Sequence, residues 1–153
     1  MVICLILHNI RSVFNVGSIF RTADAFGVKK IYLTGYTPDP ARKTALGAEK
    51  YVKWERFSAK GGKNIHRLIP WLKSEGFLIV SLEQAKKSIN IQKFSKRKFK
   101  NLTLILGNEV RGLPKSILQK SDVIVEIPMH GKKESLNVSV AAGVALYAII
   151  NSS

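Results

Sequence analysis

Acidic residues are scarce in this chain: ten Asp and Glu stand against 25 Lys and Arg, a formal charge of +15 and a pI near 10.2. A surface so unbalanced repels itself unless a polyanion is an intended partner, which makes RNA or DNA the leading candidate. Cysteine is nearly missing. Cys4 is the single one, which excludes an internal disulfide, and a lone thiol inside an apolar segment reads as a core residue rather than a nucleophile. No apolar run approaches the ~20 residues that a membrane span needs. The opening MVICLILHN also lacks the basic segment and small-residue cleavage site of a signal peptide. The expectation is a chain without membrane attachment, working in the cytoplasm.

Familiar catalytic signatures are missing too. The first apolar run leads into NIRSVFNVG rather than GxGxxG, so the common dinucleotide fingerprint is absent. Gly107 and Gly112 have the offset of a phosphate-binding P-loop, but Leu113 and Pro114 stand where Lys and Ser or Thr should be. His8, His66 and His130 are scattered without a partner at ligand spacing, and no metal site is expected.

What is present is an α/β rhythm. VICLILHN, KKIYLTG, FLIVSLE, NLTLILGNE and DVIVEIP are short β-branched runs separated by helical patterns, and a long apolar helix closes the chain. The runs are continuously apolar rather than alternating, so the sheet should be mainly parallel with helices on both faces. At 153 residues, with no linker or repeat, one domain spanning 1–153 is expected to bury roughly two thirds of its unfolded surface. The connection 34–52 is too long for a spacer and reads as a functional loop. In NVGSIFRTADAFG, residues Val16, Ile19, Phe20, Ala23 and Phe26 form one helical stripe, with Asn15 at the N-cap and Gly27 just past the end. Arg21 points away from that stripe, where it either pairs with Asp24 or serves a function. Residues 85–100 carry seven Lys and Arg, no acid, and Phe94 and Phe99 between them. This is either a solvated loop or a phosphate-binding edge whose aromatics stack on bases.

Three blocks follow predicted strands, where open parallel sheets bind ligands: the segment from Asn15 to Arg21, LILGNEVRGL, and IPMHGKKESLNVSVAAG. Taken in order from HNIRSVFNVGSIFRTADAFGV through TALGAEKYV and LGNEVRGL to SLNVSVAAGVALY, the chain resembles the TrmH (SpoU) family of SPOUT-class RNA 2′-O-ribose methyltransferases. The resemblance covers essentially the whole sequence. It implies a deep C-terminal trefoil knot, against the general rarity of knots, with S-adenosylmethionine held in the knotted cleft. It also implies a minimal, catalytic-domain form of the family working on tRNA or rRNA as a homodimer that pairs through the first and last helices. Leu136 to Ile150, apolar nearly all round, suits such pairing.

Position by position, the resemblance places Gly107, Ile127, Leu136, Leu82, Leu106, Asn108 and Met129 at the cofactor, and Arg21, Asn15, Glu109, Ser135 and Asn137 at the methyl-transfer centre. A guanidinium holds its proton too firmly to be a good base. Arg21 is therefore expected to clamp a phosphate and orient the 2′-oxygen for in-line attack, with Asn15 and Asn137 holding the arginine and ribose and Ser135 and Glu109 shaping the wall. Two alternatives stand beside this reading: an RNA-binding dimer of the same fold without turnover, and a base methyltransferase of the same knotted class.

Overall fold

A computed structural model describes residues 1–57, 64–95 and 99–152. Seven strands, β1 (Val2–His8), β2 (Lys30–Thr34), β3 (Lys53–Phe57), β4 (Leu78–Leu82), β5 (Ile89–Asn90), β6 (Asn101–Leu106) and β7 (Val123–Glu126), form one sheet in the order β3-β2-β1-β6-β4-β7-β5. All of its ladders are parallel. Among the described residues five α-helices accompany it: α1 (Val13–Ala25), α2 (Arg42–Ala45), α3 (Ile65–Ser74), α4 (Lys115–Leu118) and α5 (Val138–Asn151).

The unbroken apolar runs follow from covering both faces. Along β1, Ile3, Leu5 and Leu7 join Val16, Ile19 and Phe20 of α1 and Ala142, Leu146 and Ile149 of α5 in one core. Cys4 and Ile6 point the other way, into a second core with Leu68, Ile69 and Leu72 of α3 and Ile117 of α4. Period-two geometry sends neighbours to opposite faces, and here both faces are dry. Cys4 is thus the core residue expected, and burial raises its thiol pKa, partly offset by Lys30.

Several expectations need correction. β3 and β5 were not anticipated, because KWERF is polar and partly exposed and β5 spans only two residues. Helix α1 begins at Val13, with Ser12 rather than Asn15 as its N-cap: the Ser12 Oγ accepts from the Asn15 N–H at 3.3 Å. Within 85–100, Phe94 is buried against the α1–α5 core and is unavailable for base stacking. Lys96, Arg97 and Lys98 lie outside the described residues.

The connection 34–52 is packed rather than free. Its α2 and the 3₁₀ turn Ala48–Lys50 lie against α1, and a Cβ on Gly17 would sit 2.3 Å from the Thr44 Oγ1. Glycine is therefore required at 17 for helix-to-helix approach. The connection leaves α5 uncovered: Val140, Val144 and Tyr147, spaced i, i+4 and i+7, form one exposed stripe, with Phe14 of α1 also exposed. Among the described residues, no helix is long and apolar enough to cross a membrane.

Between β1 and β6 the order of the sheet reverses direction, since β2 and β3 extend one way and β4 lands on the other side of β6. A crevice opens outside the carboxyl ends of strands at such a point.

Candidate active site

One strand over, at the carboxyl ends of β6, β4 and β7, lies a cavity of about 200 Å³. Leu82 leaves β4, Leu106 and Gly107 leave β6, Ile127 and Met129 follow β7, and Leu136 precedes α5; with Asn108, all seven residues expected at the cofactor line the cavity. Glu109 and Ser135, from the expected catalytic set, line it as well. Sequence reasoning missed Glu83, Gln84, Val110, Arg111, Gly112, Glu126, Val138 and Ala141. Glu83 had a legible signal, since it directly follows a strand and precedes a turn.

The turn after β6 is built by side chains accepting backbone N–H groups. The Asn108 Oδ1 accepts from Val110 (2.9 Å) and Arg111 (2.8 Å). The Glu83 carboxylate accepts from Leu113 (2.8 Å) and Gln84 (2.9 Å). A Cβ on Gly107 would lie 2.8 Å from the Gly112 carbonyl carbon and from Leu113. The glycine at 107 is therefore explained by the folded-back turn itself. On the other wall the Gln84 Nε2 donates to the Glu134 carbonyl at 2.8 Å, tying the segment before α5 across the cavity.

Glu109 joins this turn to α1. Its Oε1 accepts from the Arg11 N–H (2.8 Å), and its Oε2 from the Ser12 N–H and the Asn15 Nδ2, both at 2.9 Å. Burial pushes its pKa up, but hydrogen bonds from Arg11, Asn15 and Ser12 outweigh this and hold it below the usual 4.5. With its amide nitrogen fixed on Glu109, Asn15 presents its Oδ1 to the Asn137 Nδ2 at 3.1 Å. The Asn137 Oδ1 in turn caps α5 by accepting from the Ser139 and Val140 N–H groups. Three expected residues thus form one chain, Glu109–Asn15–Asn137, that anchors the N-termini of α1 and α5 beside the cavity. Ser135 is not the cap of α5.

Arg21 is placed elsewhere. It is exposed on α1, six residues or about 9 Å of helix rise beyond Asn15. It does not line the cavity, and among the described residues it forms no ion pair with Asp24. The structure therefore brings together eleven of the twelve expected residues, through the cavity wall or the asparagine chain, and leaves the guanidinium facing solvent.

Residues 2–147 match the model of the SpoU rRNA methylase family. The chain is 34% identical over 150 residues to a 23S rRNA (guanosine-2′-O-)-methyltransferase of Coxiella burnetii, covering 95% of this chain and 56% of that protein. It is 33% identical to the tRNA (guanosine(18)-2′-O)-methyltransferase of Aquifex aeolicus, covering 91% of this chain and 64% of that one. The crystal structure of AdoMet-bound rRNA methyltransferase from Sinorhizobium meliloti superposes with a TM-score of 0.86 at 28% identity, over 96% of this chain and 55% of that chain. This chain spans a little over half to just under two thirds of the length of these relatives.

Proposed function

Because the chain belongs to the SpoU rRNA methylase family, we propose that it transfers a methyl group from S-adenosylmethionine to a ribose 2′-hydroxyl of tRNA or rRNA. The observation that carries this reading is the convergence of all seven expected cofactor residues on one cavity braced by the Glu109–Asn15–Asn137 chain.

The cavity suits the proposed cofactor by its chemistry. Leu82, Leu106, Ile127, Met129, Leu136 and Val138 supply apolar walls for an adenine, while the strand-end turns supply backbone groups that fix orientation. S-adenosylmethionine, when bound, supplies an electrophilic methyl group. Everything else falls to the chain's own residues. Glu109 keeps its charge because it is satisfied by three donors, so it holds Asn15 in one rotamer and one amide orientation. Asn15 and Asn137 then present fixed polar edges for a ribose.

In this reading Arg21 clamps a phosphate, for which a planar guanidinium is suited, rather than accepting a proton. Its exposed position suits an RNA strand lying along the outer side of α1, with a phosphate on the guanidinium and the neighbouring ribose nearer Asn15. Charge fixed in this way positions the 2′-oxygen for in-line attack, and positioning can supply several kcal/mol of the barrier.

The working unit in this reading is a homodimer. Its support is the exposed stripe Val140, Val144 and Tyr147 on α5, which water does not favour on a lone domain, together with the exposed Phe14 of α1. The reading also includes a single domain, a cytoplasmic setting and the trefoil threading of the C-terminal segment. The last is supported by β6 and β7 flanking β4 and by the Gln84–Glu134 bond across the cavity.

Incubating the chain with methyl-labelled S-adenosylmethionine and total tRNA or rRNA tests the proposal. The expected result is label in alkali-resistant dinucleotides, because a methylated 2′-oxygen cannot attack its own phosphodiester. Label in alkali-sensitive mononucleotides would point to base methylation, and RNA binding without label to a non-catalytic dimer.

A further inference from the structure

The turn 108–111 has a second side. Away from the cofactor cavity it borders an open cleft shared with Arg11, Ser12 and Tyr36. Tyr36 is more than half exposed yet held at both ends. Its N–H donates to the Asn9 Oδ1 at 3.1 Å, and its hydroxyl accepts from the Asn108 Nδ2 at 3.0 Å. The same Asn108 amide donates to the Asn9 carbonyl at 2.9 Å, and its oxygen fixes the Val110 and Arg111 N–H groups. Gly35, at φ +62°, lets the chain turn tightly over Asn9, where a Cβ would collide with the Asn9 Oδ1. An exposed tyrosine on a mobile loop would need no such mounting. Here an aromatic ring is anchored to the turn that walls the cofactor cavity.

Charge completes the cleft. Arg11 and Arg111 both line it, both are exposed, and among the described residues neither guanidinium takes part in an ion pair. Glu109 is the acid present, but both its oxygens are occupied by Arg11, Ser12 and Asn15. An aromatic platform beside two free guanidiniums is the arrangement that takes a stacked base and its phosphate.

We propose that this cleft holds a nucleotide adjacent to the methylated one, its base stacked on Tyr36 and its phosphate between Arg11 and Arg111. The inference rests on the reading of the chain as an RNA methyltransferase and adds a substrate-positioning subsite to it. Because Asn108 touches both compartments, a base seated on Tyr36 is registered against the cavity through a single side chain.

Binding of the full chain to labelled penta-adenylate and to an abasic ribose-phosphate pentamer, followed by fluorescence anisotropy, tests the subsite. The wild type is expected to prefer penta-adenylate by about 10-fold or more, the usual worth of one stacked base. Y36A should abolish that preference and Y36F should keep it. R11A and R111A should weaken both oligomers alike and lower the slope of log affinity against log salt by about 1 each. Calorimetric S-adenosylmethionine affinity should be unchanged in Y36A. No base preference in the wild type, or a full preference retained in Y36A, overturns the subsite. If the wild type methylates RNA while Y36A leaves base preference intact, the subsite alone fails. A Tyr36-dependent preference in a wild type that never transfers methyl would instead sink the enzymatic reading.

Discussion

Arg21 and His8 both lack an ion pair among the described residues, yet they stand in opposite surroundings. Arg21 is exposed and forms no ion pair among the described residues, so removing it costs the fold little. R21A is expected to keep S-adenosylmethionine affinity within about twofold while methyl transfer falls at least ~10²-fold, because the loss is in positioning and charge stabilisation. Single-turnover assays beside calorimetry check this, and full activity in R21A would remove the arginine from the mechanism. His8 is half-buried at the end of β1, its Nδ1 on the Thr34 hydroxyl at 2.8 Å. Burial, with a smaller contribution from His66, lowers its pKa from 6.5 to about 4. Below pH 6.5 the unfolded chain binds a proton that the folded chain refuses. The contribution of His8 to stability is therefore complete above pH 6.5 and declines as the pH falls toward 4. Urea midpoints at pH 7 and pH 5 should show the decline in the wild type and a shallower one in H8Q; equal slopes would refute the assignment.

Helix α1 is held at three places, and each restricts what its sequence can be. Ser12 caps it by accepting from the Asn15 N–H while Glu109 holds the Ser12 N–H just before it, Asn15 reaches α5 through Asn137, and Gly17 admits α2 against its flank. G17A introduces a carbon 2.3 Å from the Thr44 Oγ1 and 2.4 Å from its carbonyl carbon. Overpacking of this kind costs about 1–3 kcal/mol. Truncating the Thr44 side chain as well should not restore stability, because the backbone clash persists. Chemical denaturation of G17A and G17A/T44G measures both, and a fully restored double variant would show that the side chain alone sets the spacing.

The whole molecule carries two surfaces that a lone domain does not need: a charge of +15 and the apolar α5 stripe. In the dimeric reading the second explains how the first is used, since two copies double the basic surface that an RNA meets. Light scattering at micromolar concentration should give a mass near twice 17.0 kDa. Y147E, which places a charge in the stripe, should shift the mass toward the monomer and weaken RNA binding while leaving the fold's circular dichroism unchanged. A monomeric and active wild type would overturn the pairing.

Periodicity and composition were enough for the parallel sheet with helices on both faces, because a strand buried on both sides is apolar at nearly every position, as β1 is from Val2 to Leu7 and β6 is apart from Asn101 and the buried Thr103. Short motifs at strand ends, read through the family resemblance, were enough for nine of the residues that line the cavity, since parallel strands all deliver their C-terminal residues to one edge, while eight others went unread. Contacts distant in sequence were not legible in this way. That Glu109 anchors Arg11, Ser12 and Asn15, some 94 to 98 positions away, depends on β6 inserting beside β1, and no local pattern encodes that insertion. The same holds for Phe94, whose basic neighbours suggested RNA while the returning chain buries it, and for Gly107, whose absent side chain answers to Gly112 and Leu113. Residue type restricts what a position can do; the partners that determine what it does arrive only when the sheet order brings remote segments together.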